Sequence, residues 1–182
     1  MITVFGASGH TGGAAAAHLL KQGRKVRAVG RHRDKLASLL AAGAEPCLGD
    51  IEDADFVRRA LAGAEAAYLL IPPNLTTDDF RGYQHRVAEN LANGVEAAQV
   101  GHVVLLSSIG AHHGQGTGPI VGVHDFEQRL SRIAALNALF LRAGYFMENV
   151  FMSMGSITAH GVYADAMARA YIDKGRGREA SA

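Results

Sequence analysis

Gly6, Gly9 and Gly12 stand three residues apart in the opening stretch ITVFGASGHTGG, and each suits a separate task. Gly6 lets the chain turn sharply where a Cβ would clash. Gly9 leaves the backbone open to an approaching pyrophosphate, and Gly12 lets a following helix pack close to the preceding strand. The first N–H groups of that helix lack intrahelical partners and carry partial positive charge, so they attract phosphate. Ile2, Val4 and Phe5 before the turn suit a short buried strand, and AAAAHLLKQ after it suits a helix. The alternative is an ordinary strand-turn-helix with incidental glycines. The placement of the triplet between a strand and a helix favours a dinucleotide.

A second group bears on which dinucleotide. NAD sites place an acid about 20 residues beyond the glycine turn, on the ribose 2′-hydroxyl. Here that place holds Gly30-Arg31-His32-Arg33, and the first acid, Asp34, reads as a helix cap. Arg31 can pair bidentately with a 2′-phosphate, with Arg33 or Lys35 adding charge. The pattern predicts a preference for NADP(H). The alternative is a solvated basic loop before a helix.

Other reactive residue types form no known motif. His112 and His113 are adjacent, and His124-x-x-Glu127 shares a helix face, but no His-Glu-x-x-His occurs and Cys47 has no cysteine partner. No metal is expected. Ser8 lacks a nucleophile elbow, because His10 stands where G-x-S-x-G needs its second glycine. The five tyrosines are followed four residues later by Pro72, Val87, Asn149, Met167 and Gly175. None is lysine, so the Tyr-x-x-x-Lys pair, in which lysine eases proton donation by tyrosine, is absent.

These groups need a frame, and the periodicity predicts one. Strands are expected at the N-terminus and over 25–30, 45–48, 66–71, 102–106 and 138–141. Helices are expected over His10–Gln22, Asp34–Ala42 and Asp53–Leu61. A fourth follows a cap at Thr77 or Asp78, and a fifth carries Phe126, Leu130 and Ile133 on one face. Gly23 and Gly43 read as stops. The glycine-rich loop Gly110–Gly118 is expected to be mobile. Strands alternating with helices predict an α/β Rossmann fold, a doubly wound parallel sheet in the order 3-2-1-4-5-6. Ligands bind beyond the carboxyl ends of such strands.

Bulk properties agree. With 182 residues, 48% of them apolar, the chain can bury one substantial core. A net charge of +1 argues against a nucleic-acid surface. One cysteine, no basic-apolar leader and no apolar run near the ~20 residues of a membrane span point to a cytoplasmic protein without a membrane partner.

Taken in order, GASGHTG, VGRHRDKL, GD, LLIPP, LLSSIGA and LRAGYFMENV, each after a successive strand, resemble the NmrA-like branch of the atypical short-chain dehydrogenase/reductases. The resemblance covers about 1–151 and implies an NADP(H)-binding Rossmann domain. It implies that Gly6, Ser8, Gly9, His10 and Thr11 line the pyrophosphate and that Arg31 meets the 2′-phosphate. It places Asp50 and Ile51 at the adenine and Ile71 and Pro72 on the ribose side. Where many relatives hold lysine on the fifth helix, this chain has His124, which would orient the nicotinamide ribose or relay a proton. The alternative is a partly buried structural histidine. Ser107 and Ser108 fall where a substrate carbonyl would lie, or serve only as a strand-end cap. Relatives continue past Phe151 with a substrate-covering lobe. Here 152–182 reads as a short remnant of it, ending in the polar tail DKGRGREASA.

The expected activity is NADPH-dependent reduction of a quinone or similar small carbonyl acceptor by hydride transfer. The alternative is a regulator that senses NADP(H) without turnover. A small-molecule acceptor is the expected partner, nucleic acid is not expected, and a homodimer is left open.

Overall fold

The computed structural model describes residues 1–161 except 75, 148, 150, 152 and 153. They fall into two units, Met1–Ala143 and Gly144–Ala182. In the first unit β1 (Ile2–Val4), β2 (Val26–Gly30), β3 (Glu45–Leu48), β4 (Ala66–Leu69), β5 (His102–Ser108) and β6 (Asn137–Ala143) form one sheet. Its order is β3-β2-β1-β4-β5-β6, every pair parallel, as the alternation of elements predicted. Between the strands run α1 (His10–Lys21), α2 (Ala37–Ala41), α3 (Ala54–Leu61), α4 (Phe80–Ala97) and α5 (Ile120–Leu130).

The two-residue side-chain period of strands divides the core. Val4, Val26 and Ala28 pack with Ala16 of α1 and with Leu36 and Leu39 on one face. Phe5 and Val29 point to the other, where Phe56, Val57 and Leu61 of α3 meet Val87, Leu91 and Val95 of α4 and Phe126 and Leu130 of α5. Helices on both faces are what a parallel sheet requires, since neither face can be left to water.

Several local expectations need correction. Asp34 is not a cap. It opens a 3-10 turn, Asp34–Leu36, and α2 begins only at Ala37. Arg33 before it is already in the helical region, so no extended residue is in place to cap. Neither Thr77 nor Asp78 caps α4. Asp79 does, its carboxylate accepting from the Gly82 N–H at 2.8 Å, while Thr77 Oγ1 accepts from the Asp79 N–H. β4 stops at Leu69, two residues early, and an irregular stretch through Pro72-Pro73 follows. β6 is longer than expected because all seven of its residues pair with β5, from His102↔Asn137 to Ser108↔Ala143. Asp53, expected as the first residue of a helix, is instead the cap of α3, accepting from the Asp55 and Phe56 N–H groups.

The second unit contains α6 (Met154–His160). The rest of the expected tail, including 173–182, lies outside the described residues.

Candidate functional site

The turn after β1 is built from backbone. The Phe5 N–H donates to the Tyr68 carbonyl at 3.0 Å, and the Ala7 N–H to the Val29 carbonyl at 3.1 Å, so the turn is tied to both neighbouring strands. Gly6 sits at φ +63°, a left-handed conformation that favours glycine. A Cβ on Gly12 would lie 2.4 Å from the Gly6 carbonyl oxygen and 2.9 Å from that of Phe5. Only a glycine lets the first turn of α1 come so close to the strand. Gly9 is the N-cap of α1, extended, with no side-chain cap and no acid in the first turn. The leading amides of α1, which another helix would satisfy with serine or aspartate, are left for an outside acceptor.

Beside this turn, at the carboxyl ends of β1 to β4, lies a cleft of about 380 Å³. Phe5, Gly6 and Ser8 line it from the first turn, and Val29, Gly30 and Arg31 from the end of β2. Gly49 to Glu52 line it after β3, and Pro72 to Asn74, Thr76 and Tyr83 after β4. Gly6, Ser8, Arg31, Asp50, Ile51 and Pro72, all named from sequence, therefore converge. Gly9, His10, Thr11 and Gly12 belong to the adjoining start of α1, and Ile71 is partly buried against the core.

The loops around the cleft are braced. Asp50 Oδ1 accepts from the Glu52 N–H at 2.9 Å. The Tyr83 hydroxyl donates to the Pro72 carbonyl at 2.9 Å. Burial raises the Tyr83 phenol above its usual range, the Glu52 and Asp50 charges raise it further, and Arg31 opposes them. Tyr83 escaped the sequence reading because it fits the apolar period of α4; nothing in that period shows where its hydroxyl points. Glu52, Asn74 and Thr76 carried no motif signal either.

The residues named for chemistry stand elsewhere. Ser107 is buried and donates its hydroxyl hydrogen to Glu127. Glu127, also buried, is held by Arg142 through Nε at 3.0 Å and Nη2 at 2.6 Å. Burial alone would raise the Glu127 carboxyl; hydrogen bonds from Arg142 and Ser107, with the charges of Arg142 and His124, outweigh it and bring it below the ordinary range. Ser108 Oγ donates to the Ile109 carbonyl at 3.2 Å. His124, one turn before Glu127 on α5, places Nδ1 2.8 Å from the Ala111 carbonyl. A carbonyl only accepts, so Nδ1 carries hydrogen. Gly114 of the 110–118 loop lies against the Nε2 edge of the ring. None of these three lines the cleft beside the glycine turn.

An uncapped helix start, a turn that admits no Cβ at Gly12 and a cleft with Arg31 at its rim fit a phosphate-bearing dinucleotide. Comparison with known proteins agrees. Residues 6–147 match the sequence profile of a family described as NAD(P)H-binding. Triphenylmethane reductase of Citrobacter sp., in complex with NADP(H), superposes with a TM-score of 0.71 at 23% identity, over 86% of this chain and 55% of that one. An NADPH-dependent quinone oxidoreductase of Escherichia coli, in complex with NADPH, gives 0.72 at 23% identity, over 88% and 55%. Sterol demethylase protein B of Methylococcus capsulatus is 40% identical over 65 residues, 36% of this chain and 20% of that protein. The chain thus spans about half the length of the two structural relatives and a fifth of the third.

Proposed function

The chain belongs to the NAD(P)H-binding family, and on that premise we propose that it is an NADPH-dependent reductase of a quinone or similar small carbonyl acceptor. The observation that carries the cofactor half is the uncapped start of α1 beside the Arg31-lined cleft. In this reading residues 1–151 form the dinucleotide-binding domain and 152–182 lie beyond it. Gly9, His10, Thr11 and Gly12 offer amides to the pyrophosphate, with Gly6 and Ser8 beside them. Arg31 takes the 2′-phosphate, Asp50 and Ile51 flank the adenine, and Ile71 and Pro72 border the ribose. The acceptor half rests on the quinone and dye reductases among the structural relatives, which is analogy of fold.

When bound, the reduced nicotinamide supplies the hydride. Hydride transfer to a quinone leaves a quinol anion, which then needs one proton. Ser107 is buried and donates its hydrogen to Glu127, so it is not poised as a donor, whereas the Ser108 hydroxyl makes only an exposed 3.2 Å bond to the neighbouring Ile109 carbonyl. His124 donates from Nδ1 to the Ala111 carbonyl, which leaves Nε2 as the ring atom for a relay. The quinol anion can also take that proton from water, so the missing Tyr-x-x-x-Lys pair does not bar this reaction.

The committed hydroxyl of Ser107 also favours a second reading, a protein that senses NADP(H) without turnover. Steady-state oxidation of NADPH against a panel of quinones separates the two. Turnover with any quinone supports the reductase. Tight NADPH binding with no turnover across the panel rejects it in favour of the sensor.

A further inference from the structure

Helix α4 packs its apolar residues on the sheet, yet one of its edges reaches the cleft loops. Asn90 Nδ2 donates to the Glu52 carbonyl at 2.8 Å and to the Ile51 carbonyl at 3.2 Å. One turn earlier, Arg86 lies 3.4 Å from the Glu52 carboxylate and 3.4 Å from that of Asp79, the cap of the same helix. Another turn earlier, Tyr83 holds the Pro72 carbonyl. Positions 83, 86 and 90 are spaced by three and four residues and so lie along one side of the helix. Between them they grip the loop after β3 and the loop after β4. Val87, Leu91 and Val95 bury the same helix in the core, so the grip is anchored to a rigid body.

From this we infer that α4 positions the adenosine end of the cofactor cleft, Asn90 and Arg86 by holding the Asp50–Glu52 segment in its binding shape and Tyr83 by holding the Pro72 carbonyl of the facing loop. The inference rests on the cofactor reading above. Asn90 does not line the cleft; it acts through the loop carbonyls. Asp50 Oδ1 already holds the Glu52 N–H, and Asn90 takes the two carbonyls, so the segment is braced at both polar ends of its backbone. A loop ordered during folding bears its entropy cost then and not on binding, which favours affinity.

The test uses the full chain and two ligands, NADPH and adenosine 2′,5′-bisphosphate, titrated calorimetrically. Asn90→Ala removes the anchor, and Asn90→Asp keeps its volume while removing its donors. Both variants are expected to bind each ligand about five- to tenfold more weakly. The factor should be equal for the two ligands, because the loss falls on the adenosine half they share. Should the Asn90 variants not fold, Tyr83→Phe, which deletes one hydroxyl, is expected to weaken NADPH binding by a few-fold, about the effect of one hydrogen bond. Wild-type affinity in the folded variants overturns the inference, as does a much larger loss for NADPH than for the bisphosphate. A wild-type protein that binds NADPH but not the bisphosphate instead overturns the placement of adenosine in this cleft.

Discussion

At the scale of single residues, two glycines of one motif do different work. A Cβ at Gly12 would strike backbone, 2.4 Å from the Gly6 oxygen, and backbone cannot step aside cheaply. Gly12→Ala is expected to cost about 1–3 kcal/mol in urea unfolding, as forced overpacking does. At Gly9 a Cβ would lie 3.3 Å from that same oxygen, which a small shift absorbs. Gly9→Asp should therefore keep stability within about 1 kcal/mol of wild type, since aspartate is a favourable N-cap. It should also lower NADPH affinity by about a hundredfold or more, because its carboxylate takes the amides and repels phosphate. A folded Gly9→Asp protein with unchanged NADPH affinity would show that the phosphates lie elsewhere. Glu127 makes a pH prediction. Its carboxyl is lowered in the folded protein, so its stabilising contribution is complete above the ordinary carboxylate range and is lost as pH falls through the lowered value. Glu127→Gln is expected to flatten the acid limb of a stability–pH curve; an unchanged slope would rule the coupling out.

At the scale of elements, the helix starts sort by what they leave open. α3 is closed by Asp53, and α4 by Asp79, while α1 has no side-chain cap. α2 and α5 also begin without a side-chain cap, so it is the cleft beside its open start that sets α1 apart as a helix prepared for a ligand. Asp53→Ala should cost about 1 kcal/mol of unfolding free energy, the usual worth of a cap. Its effect on NADPH affinity, read in the same protein by titration, should be slight, because the cap bonds point into α3 and not into the cleft.

For the molecule as a whole, the sheet brings the ends of four strands to one edge, and the cleft exists because the order of strand addition reverses between β1 and β4, the crossover after β3 returning to the other side of β1. A dinucleotide held across that edge binds only the folded state. At a hundredfold excess over its dissociation constant, NADPH should add about 2.7 kcal/mol and raise the melting temperature by about 5–10 °C. An equal excess of NADH over its own constant gives the same gain, so the preference for NADPH is read from the lower concentration it needs. No thermal shift with either nucleotide would remove the cofactor reading. On the α1 side of the sheet, β4 to β6 border an open apolar groove of about 860 Å³, with Tyr68, Val104 and Leu139 on its floor. No helix among the described residues is long and apolar enough to cross a membrane.

Much of this protein is legible along the chain because it depends on neighbours in sequence. Alternating periods announced the six strands and their order, and the spacing of Gly6, Gly9 and Gly12 announced the turn, since steric demands at a strand-to-helix corner are local. The cap of α4 was misplaced by one or two residues because Thr77, Asp78 and Asp79 are all competent, and only the trajectory of the chain chooses among them. What Ser107 does with its hydrogen could not be read at all. Its partner Glu127 is twenty residues away and that partner's counter-ion, Arg142, fifteen further, joined only when β5, β6 and α5 pack. The same holds for Asn90 and Tyr83. Their types and periods are written in the sequence, but the carbonyls they grip belong to other loops, and only tertiary packing brings those within hydrogen-bonding reach.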